Sequence, residues 1–206
     1  MNRICVATSK ARAYYALVSR LRRAGLPFSS ALPGSDFGDC DLILTTTDEA
    51  GQFGPKAVAL ESLDENPGIF KGQVVSRLTG REDVILVGVD PGKRTGLAVF
   101  YGQTKLAFST FDSTGAVCSR VGAFARGVPA SRLLVRVGNG NKATATRLVD
   151  ELRKEVPEAT IEVVDESGTS TGSPKMKGVQ RDQVAAAKIA FRKGEVVSHG
   201  TTRNRG

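Results

Sequence analysis

The chain has 206 residues, of which 40% are hydrophobic and 24% charged, and it carries a formal net charge of +8. That composition is too apolar for a disordered chain, the length suffices for one large or two small cored domains, and no run approaches the roughly 20 apolar residues of a membrane span. With three scattered cysteines (Cys5, Cys40, Cys118), no C-x-x-C pair and a single histidine, His199, a disulfide framework, a zinc site and histidine-based catalysis are not expected, so acid–base or metal work falls to carboxylates.

The first apolar run, Ile4-Cys5-Val6-Ala7, reads as a strand, and charged Lys10 arrives before a signal-peptide core could form. A cytoplasmic protein is the expectation. Ala13, Leu17, Leu21 and Ala24 then recur at helical spacing and stop at Gly25 and Pro27. Leu42-Ile43-Leu44 and Ala57-Val58-Ala59-Leu60 are further short strands between turn-rich segments, which predicts a small α/β domain with a largely parallel sheet over residues 1–80. Asp64 is the expected cap of a last helix running to about Leu78. Cys5 and Cys40 read as small buried apolar residues.

The second half opens on Val84-Ile85-Leu86-Val87-Gly88-Val89, a continuous apolar run of the kind buried on both faces of a sheet, and ends it on Asp90-Pro91-Gly92. Thr95–Tyr101 and Lys105–Phe111, joined at Gly102-Gln103-Thr104, predict an antiparallel hairpin that completes a three-strand meander. A small-residue helix around 117–126, a strand at 133–137, a helix with Ala145, Leu148, Val149, Leu152 and Val156 on one stripe, and a strand at 160–164 follow. A Gly/Ser/Thr-rich loop leads to a last helix from about Val179 to Arg192, and residues 194–206 read as a basic polar tail.

Charge separates the halves. Residues 1–80 hold nine Lys and Arg against eight Asp and Glu, whereas residues 81–206 hold 20 against 13, so the phosphate-seeking excess lies in the second half. Asp90 and Glu166 terminate strands, and Asp182 shares the helical stripe of Ala185, Ala186 and Ile189. An uncompensated carboxylate on a packed helix face costs on the order of several kcal/mol, and a hard cation such as Mg²⁺ or Mn²⁺ removes that cost.

Val87-Gly88-Val89-Asp90-Pro91-Gly92-Lys93-Arg94-Thr95-Gly96-Leu97-Ala98 resembles the opening strand and turn of RuvC and YqgF proteins, the Holliday-junction-resolvase branch of the ribonuclease H superfamily. Val137-Gly138-Asn139-Gly140, Val164-Asp165-Glu166-Ser167-Gly168-Thr169-Ser170 and Asp182-Gln183-Val184-Ala185-Ala186-Ala187-Lys188-Ile189-Ala190 are similar to the later motifs, over residues 83–193 in all. The resemblance implies a mixed five-stranded ribonuclease-H-like sheet flanked by helices, with Asp90, Glu166 and Asp182 as catalytic metal ligands for Mg²⁺ or Mn²⁺. Lys93, Arg94, Lys142, Lys175, Lys177 and Arg181 are the candidates to hold phosphates, and Asn139 and Asp165 are secondary site candidates. RuvC itself presents a carboxylate near the place of Asn139.

The resemblance implies an endonuclease acting on structured nucleic acid, either branched DNA or an RNA precursor. The competing implication is a Tex-like module that binds nucleic acid without cutting it. A homodimer is expected if both strands of a symmetric junction are cut. A different class of reading takes Gly138-Asn139-Gly140-Asn141-Lys142-Ala143 as a dinucleotide loop with Asp165 at the ribose, but such a fingerprint belongs to a first strand and does not follow an antiparallel meander.

Overall fold

The computed structural model describes residues 3–79, 83–165 and 181–197. They divide into two compact units, one made of the chain up to residue 82 and the other of almost everything after it, with residues 126–129 grouped with the first. Both are α/β.

In the first unit, β1 (Ile4–Val6), β2 (Ser29–Ser30), β3 (Leu42–Thr45) and β4 (Ala57–Ala59) form a parallel sheet in the order β2-β1-β3-β4. Two helices accompany it, α1 (Ala11–Ala24) and α2 (Pro67–Thr79). Helix α1 ends because Gly25 adopts a left-handed φ of 65°, which lets Gly25 N–H reach the Arg22 carbonyl and Leu26 N–H the Leu21 carbonyl. Strand alternation sorts the core. Ile4, Val6, Leu42 and Leu44 pack with Leu17, Leu21, Phe70 and Val74, whereas Cys5, Ala7 and Ile43 pack on Cys40, Phe37 and Phe53.

Two expectations are corrected in this unit. Cys5 and Cys40 are joined by a disulfide, their Cα atoms 6.0 Å apart. The parallel pairing of β1 with β3 carries the approach to β3 alongside β1, a proximity that a sequence separation of 35 conceals. The cap of α2 is Asn66 and not Asp64: Asn66 Oδ1 accepts from Gly68 N–H at 3.1 Å and from Ile69 N–H at 3.3 Å, while Asp64 Oδ1 accepts from Asn66 N–H. Pro67 fixes the start, since its missing N–H and preset φ suit the first helical position.

The loops leaving β1 and β3 are tied by a buried carboxylate, Glu49, which is 6% exposed. It accepts from Ser9 N–H at 2.8 Å, Ser9 Oγ at 2.6 Å and Thr46 Oγ1 at 2.9 Å, and also from the Thr8 hydroxyl. Burial alone pushes the Glu49 carboxyl up, but the hydrogen bonds from Ser9, Thr8 and Thr46 outweigh it and hold the group at about 2, well below 4.5. A carboxyl depressed on folding contributes stability that is fully present above its unfolded pKa and is lost as the pH falls toward its folded one. Urea midpoints of the wild type are therefore expected to fall between pH 4.5 and about 2, and Glu49→Gln to flatten that limb. At neutral pH the same substitution is expected to lower stability by about 2 kcal/mol, the scale of hydrogen bonds to a charged acceptor. A variant limb as steep as that of the wild type would show that Glu49 is not the titrating group.

In the second unit, β5 (Val84–Asp90), β6 (Thr95–Tyr101) and β7 (Thr104–Phe111) form the expected antiparallel meander, closed by a turn in which Gly102 takes a φ of 55°. Then come α3 (Thr114–Gly127), β8 (Arg132–Gly138), α4 (Lys142–Glu155), β9 (Thr160–Val164), α5 (Arg181–Ala190) and β10 (Glu195–Val196). The sheet order is β10-β9-β8-β5-β6-β7, with β8 parallel to β5 and β9 parallel to β8. The sheet is mixed as expected but has six strands among the described residues and not five. Glu195 and Val196, read from sequence as the start of a tail, pair antiparallel with Val163 and Glu162. Two residues are too few to show a strand period, so only the pairing reveals them.

Alternation along β5 decides which face meets which helix. Val84, Leu86, Ala98, Phe100 and Leu134 pack with Ala186, Ala187 and Ala190 of α5, while Ile85, Val87 and Val89 are buried on the opposite face. The helix lies unusually close to the sheet because two glycines admit it. A Cβ on Gly88 would stand 2.8 Å from the Ala190 Cβ and 2.6 Å from its nitrogen, and one on Gly96 would stand 3.2 Å from the Asp182 Cβ. No helix among the described residues is long and apolar enough to cross a membrane.

Candidate functional site

Because β5, β8 and β9 are mutually parallel, all three leave the sheet at the same edge, where Asp90, Asn139 and Asp165 end or follow their strands. Strand β6 is antiparallel to β5, so its first residues arrive at that edge too, and Gly96 pairs with Asp90. The backbone of Asp182, in the first turn of α5, packs on Gly96. Asp90 shares the sheet face of Gly88 by alternation, and that is the face α5 covers. Thus two acidic positions far apart in the chain, both partly buried, are placed at the junction of β5, β6 and α5.

Asn139 and Asp165 are brought together one and two strands away. They line a hollow of about 420 Å³ with Val163, Lys193, Gly194 and Glu195. Asn139 N–H donates to the Val164 carbonyl at 3.1 Å, and Arg192 donates to the Asp165 carbonyl at 3.4 Å. Neighbouring strands lie about 4.8 Å apart, so the exit of β9 is about 10 Å from that of β5. Glu166, Lys175 and Lys177 lie outside the described residues. Among the described residues no group of three or more His, Cys, Asp or Glu stands where it could hold a metal ion.

The basic candidates differ in their freedom. Lys93 and Arg94 follow Asp90 in an exposed turn, and Arg94 Nε is paired with Asp112 Oδ1 at 3.1 Å. Lys142 is the exposed first residue of α4, whose cap is Asn141, with Oδ1 accepting from Thr144 N–H at 3.1 Å. Arg181 is exposed at the start of α5. Lys142 and Arg181 thus stand at helix amino termini, where backbone N–H groups also favour an anion.

No protein-family model and no curated protein matches this chain.

Sequence reasoning missed the device that holds the far end of α5. Arg136 on β8 donates from Nε to Glu162 Oε2 on β9 at 2.7 Å and from Nη1 to the Ala190 carbonyl at 2.7 Å. Both side chains are mostly buried, and Glu162 also accepts from Gly194 N–H at 3.2 Å. The signal was present as two charged residues, Arg136 and Glu162, inside otherwise apolar strands. What it lacked was the register that pairs them. Arg136→Met strips a partner from a mostly buried carboxylate and from a helix-end carbonyl, and an expected loss of about 2–4 kcal/mol follows. Urea unfolding checks it, and replacing Glu162 by Met as well is expected to restore at least half, because the stranded charge is then gone.

Proposed function

We propose that the second unit is a ribonuclease-H-like domain of the RuvC/YqgF type and acts as a divalent-metal-dependent endonuclease on structured nucleic acid, with a branched DNA junction as the leading substrate. The observation that carries this reading is that Asp90 pairs with Gly96 and the backbone of Asp182 packs on that same glycine, at the edge where three parallel strands end. A hard cation would offset the charge of two partly buried acids placed at one such junction.

The donor set suits a hard cation, being entirely oxygen and free of histidine and thiolate. Asp90, Asp182 and, from the sequence, Glu166 would hold Mg²⁺ or Mn²⁺, which when bound activates water and offsets charge on the phosphate under attack. Lys93, Lys142 and Arg181 bind backbone phosphates and set the strand's position, while Gly92 leaves the turn after Asp90 open for close approach of a backbone. Asn139 follows the neighbouring strand β8 at the same sheet edge and carries a neutral amide where a carboxylate would add charge.

The test is a cleavage panel of labelled four-way junctions, flaps, duplexes and structured RNA, with Mg²⁺, with Mn²⁺ and with chelator. Metal-dependent products from junctions support the proposal, and products from structured RNA alone would move the substrate to RNA processing. Salt-sensitive binding without products in any arm would replace the enzyme by a non-catalytic Tex-like binder. Sedimentation with junction DNA tests the accompanying homodimer proposal.

A further inference from the structure

We infer that the outer face of α1 in the first unit is a binding surface for single-stranded nucleic acid, separate from the carboxylate site of the second unit. Residues 10–35 contain Lys10, Arg12, Arg20, Arg22 and Arg23 and no Asp or Glu, whereas all eight acids of residues 1–80 lie after them. Helical spacing gathers Arg12, Tyr15, Ser19 and Arg22 on one side, and Arg23 adjoins them. Arg12 and Arg22 are ten residues apart, about 15 Å at the helical rise.

The two tyrosines make this more than a solvated basic face. Tyr15 is 77% exposed and Tyr14 is 40% exposed. With Val18, Ser19, Arg22 and Arg23 they line a recess of about 320 Å³ whose floor is the buried Val18. Tyr14 is braced at its hydroxyl by Ser30 Oγ at 3.1 Å, which orients its ring without covering it. Among the described residues Arg12, Arg22 and Arg23 have no acidic partner, whereas Arg20 is used internally on Glu65 and the Leu63 carbonyl.

An exposed aromatic ring between unneutralised guanidinium groups is what a single strand requires. Each base offers a face to stack on, and each phosphate a charge to neutralise. A duplex hides its base faces and would leave the tyrosines unused. A membrane surface would need an apolar stripe facing outward, but Leu17, Val18 and Leu21 are buried in the unit's own core. Order along the helix places Tyr15 between the two cationic positions, so that one base stacks while flanking phosphates meet Arg12 on one side and Arg22 and Arg23 on the other.

The experiment uses the full chain and a fluorescent 20-nucleotide oligothymidylate, in chelator so that no cleavage occurs, with affinity read by anisotropy over a salt series. Arg22→Ala with Arg23→Ala is expected to weaken binding about 10-fold and to reduce the salt slope by about 1.4, near 0.7 for each phosphate that no longer meets a guanidinium. Tyr15→Ala is expected to cost about 5-fold or more and Tyr15→Phe to restore it, since stacking needs the ring and not the hydroxyl. Thermal midpoints equal to wild type confirm that the exposed substitutions leave the fold intact. Unchanged affinity and slope in the folded variants would overturn the inference, as would equal or tighter arginine-dependent binding to poly-glutamate or to phosphatidylglycerol vesicles. Arginine-sensitive binding in a protein that cuts nothing would sustain this surface while the nuclease proposal fell.

Discussion

Asp90→Asn is expected to lower metal-dependent cleavage on the order of 100-fold or more while leaving junction affinity within a few-fold of wild type. Asparagine keeps the size and one oxygen of the side chain but loses the charge that opposes a cation's own, and the loss of a single preorganised electrostatic group at a reacting centre typically costs that much. Affinity survives because Lys93, Lys142 and Arg181, which the proposal gives to the phosphates, are untouched. Asp182→Asn is expected to behave alike, and the double variant to be little worse than either single one, since residues acting as a unit are not additive. Gel-resolved initial rates together with binding isotherms check all three. A fully active Asp90→Asn protein would remove the carboxylate pair from any catalytic role.

The second large effect concerns Gly88. In Gly88→Val the new Cβ would press on Ala190 and on the Ala186 carbonyl, which are helix atoms and not the movable end of a flexible chain. Either α5 lifts or the sheet buckles, at an expected cost of about 3 kcal/mol, the upper end of overpacking effects. For a chain of this length the thermal midpoint is expected to drop by roughly 6–12 °C. Cleavage is expected to fall with it, because the helix that Gly88 admits also carries Asp182. Gly115→Ala is the control: a Cβ there has nothing within 4 Å, so stability is expected to hold or rise slightly. Equal midpoints for wild type and Gly88→Val would mean that α5 is not held to the sheet as described.

Much of the architecture was legible because it follows local periodicity. The apolar stripe of α1 and the glycine that ends it, the doubly buried β5, and the hairpin of β6 and β7 each announce themselves within a dozen residues. Where the reading slipped, the deciding partner was distant or the signal too short. Two-residue β10 has no period of its own, Asn66 outcompeted Asp64 because Pro67 sets the helix start, and the Cys5–Cys40 bond depends on how β1 and β3 pair.

The same division runs through the candidate site. Asp90 stood out in the sequence because it ends an apolar strand, and Asp182 because it interrupts an apolar helical stripe. Arg136 and Glu162 also interrupt apolar strands, yet nothing in either segment names the other as its partner or the Ala190 carbonyl as the third member.

The amino-acid pattern by itself determined which segments become strands and helices and which acids are out of place among apolar neighbours, because both depend on spacing along a few turns of chain. Only the tertiary structure decided that β8 and β9 lie beside β5 in parallel, that two glycines let α5 settle on the sheet, and that Asp90 and Asp182 thereby share one edge. Those outcomes arise from strand register and close packing between segments up to about a hundred residues apart, where the free energy belongs to the pair of surfaces and to neither sequence alone.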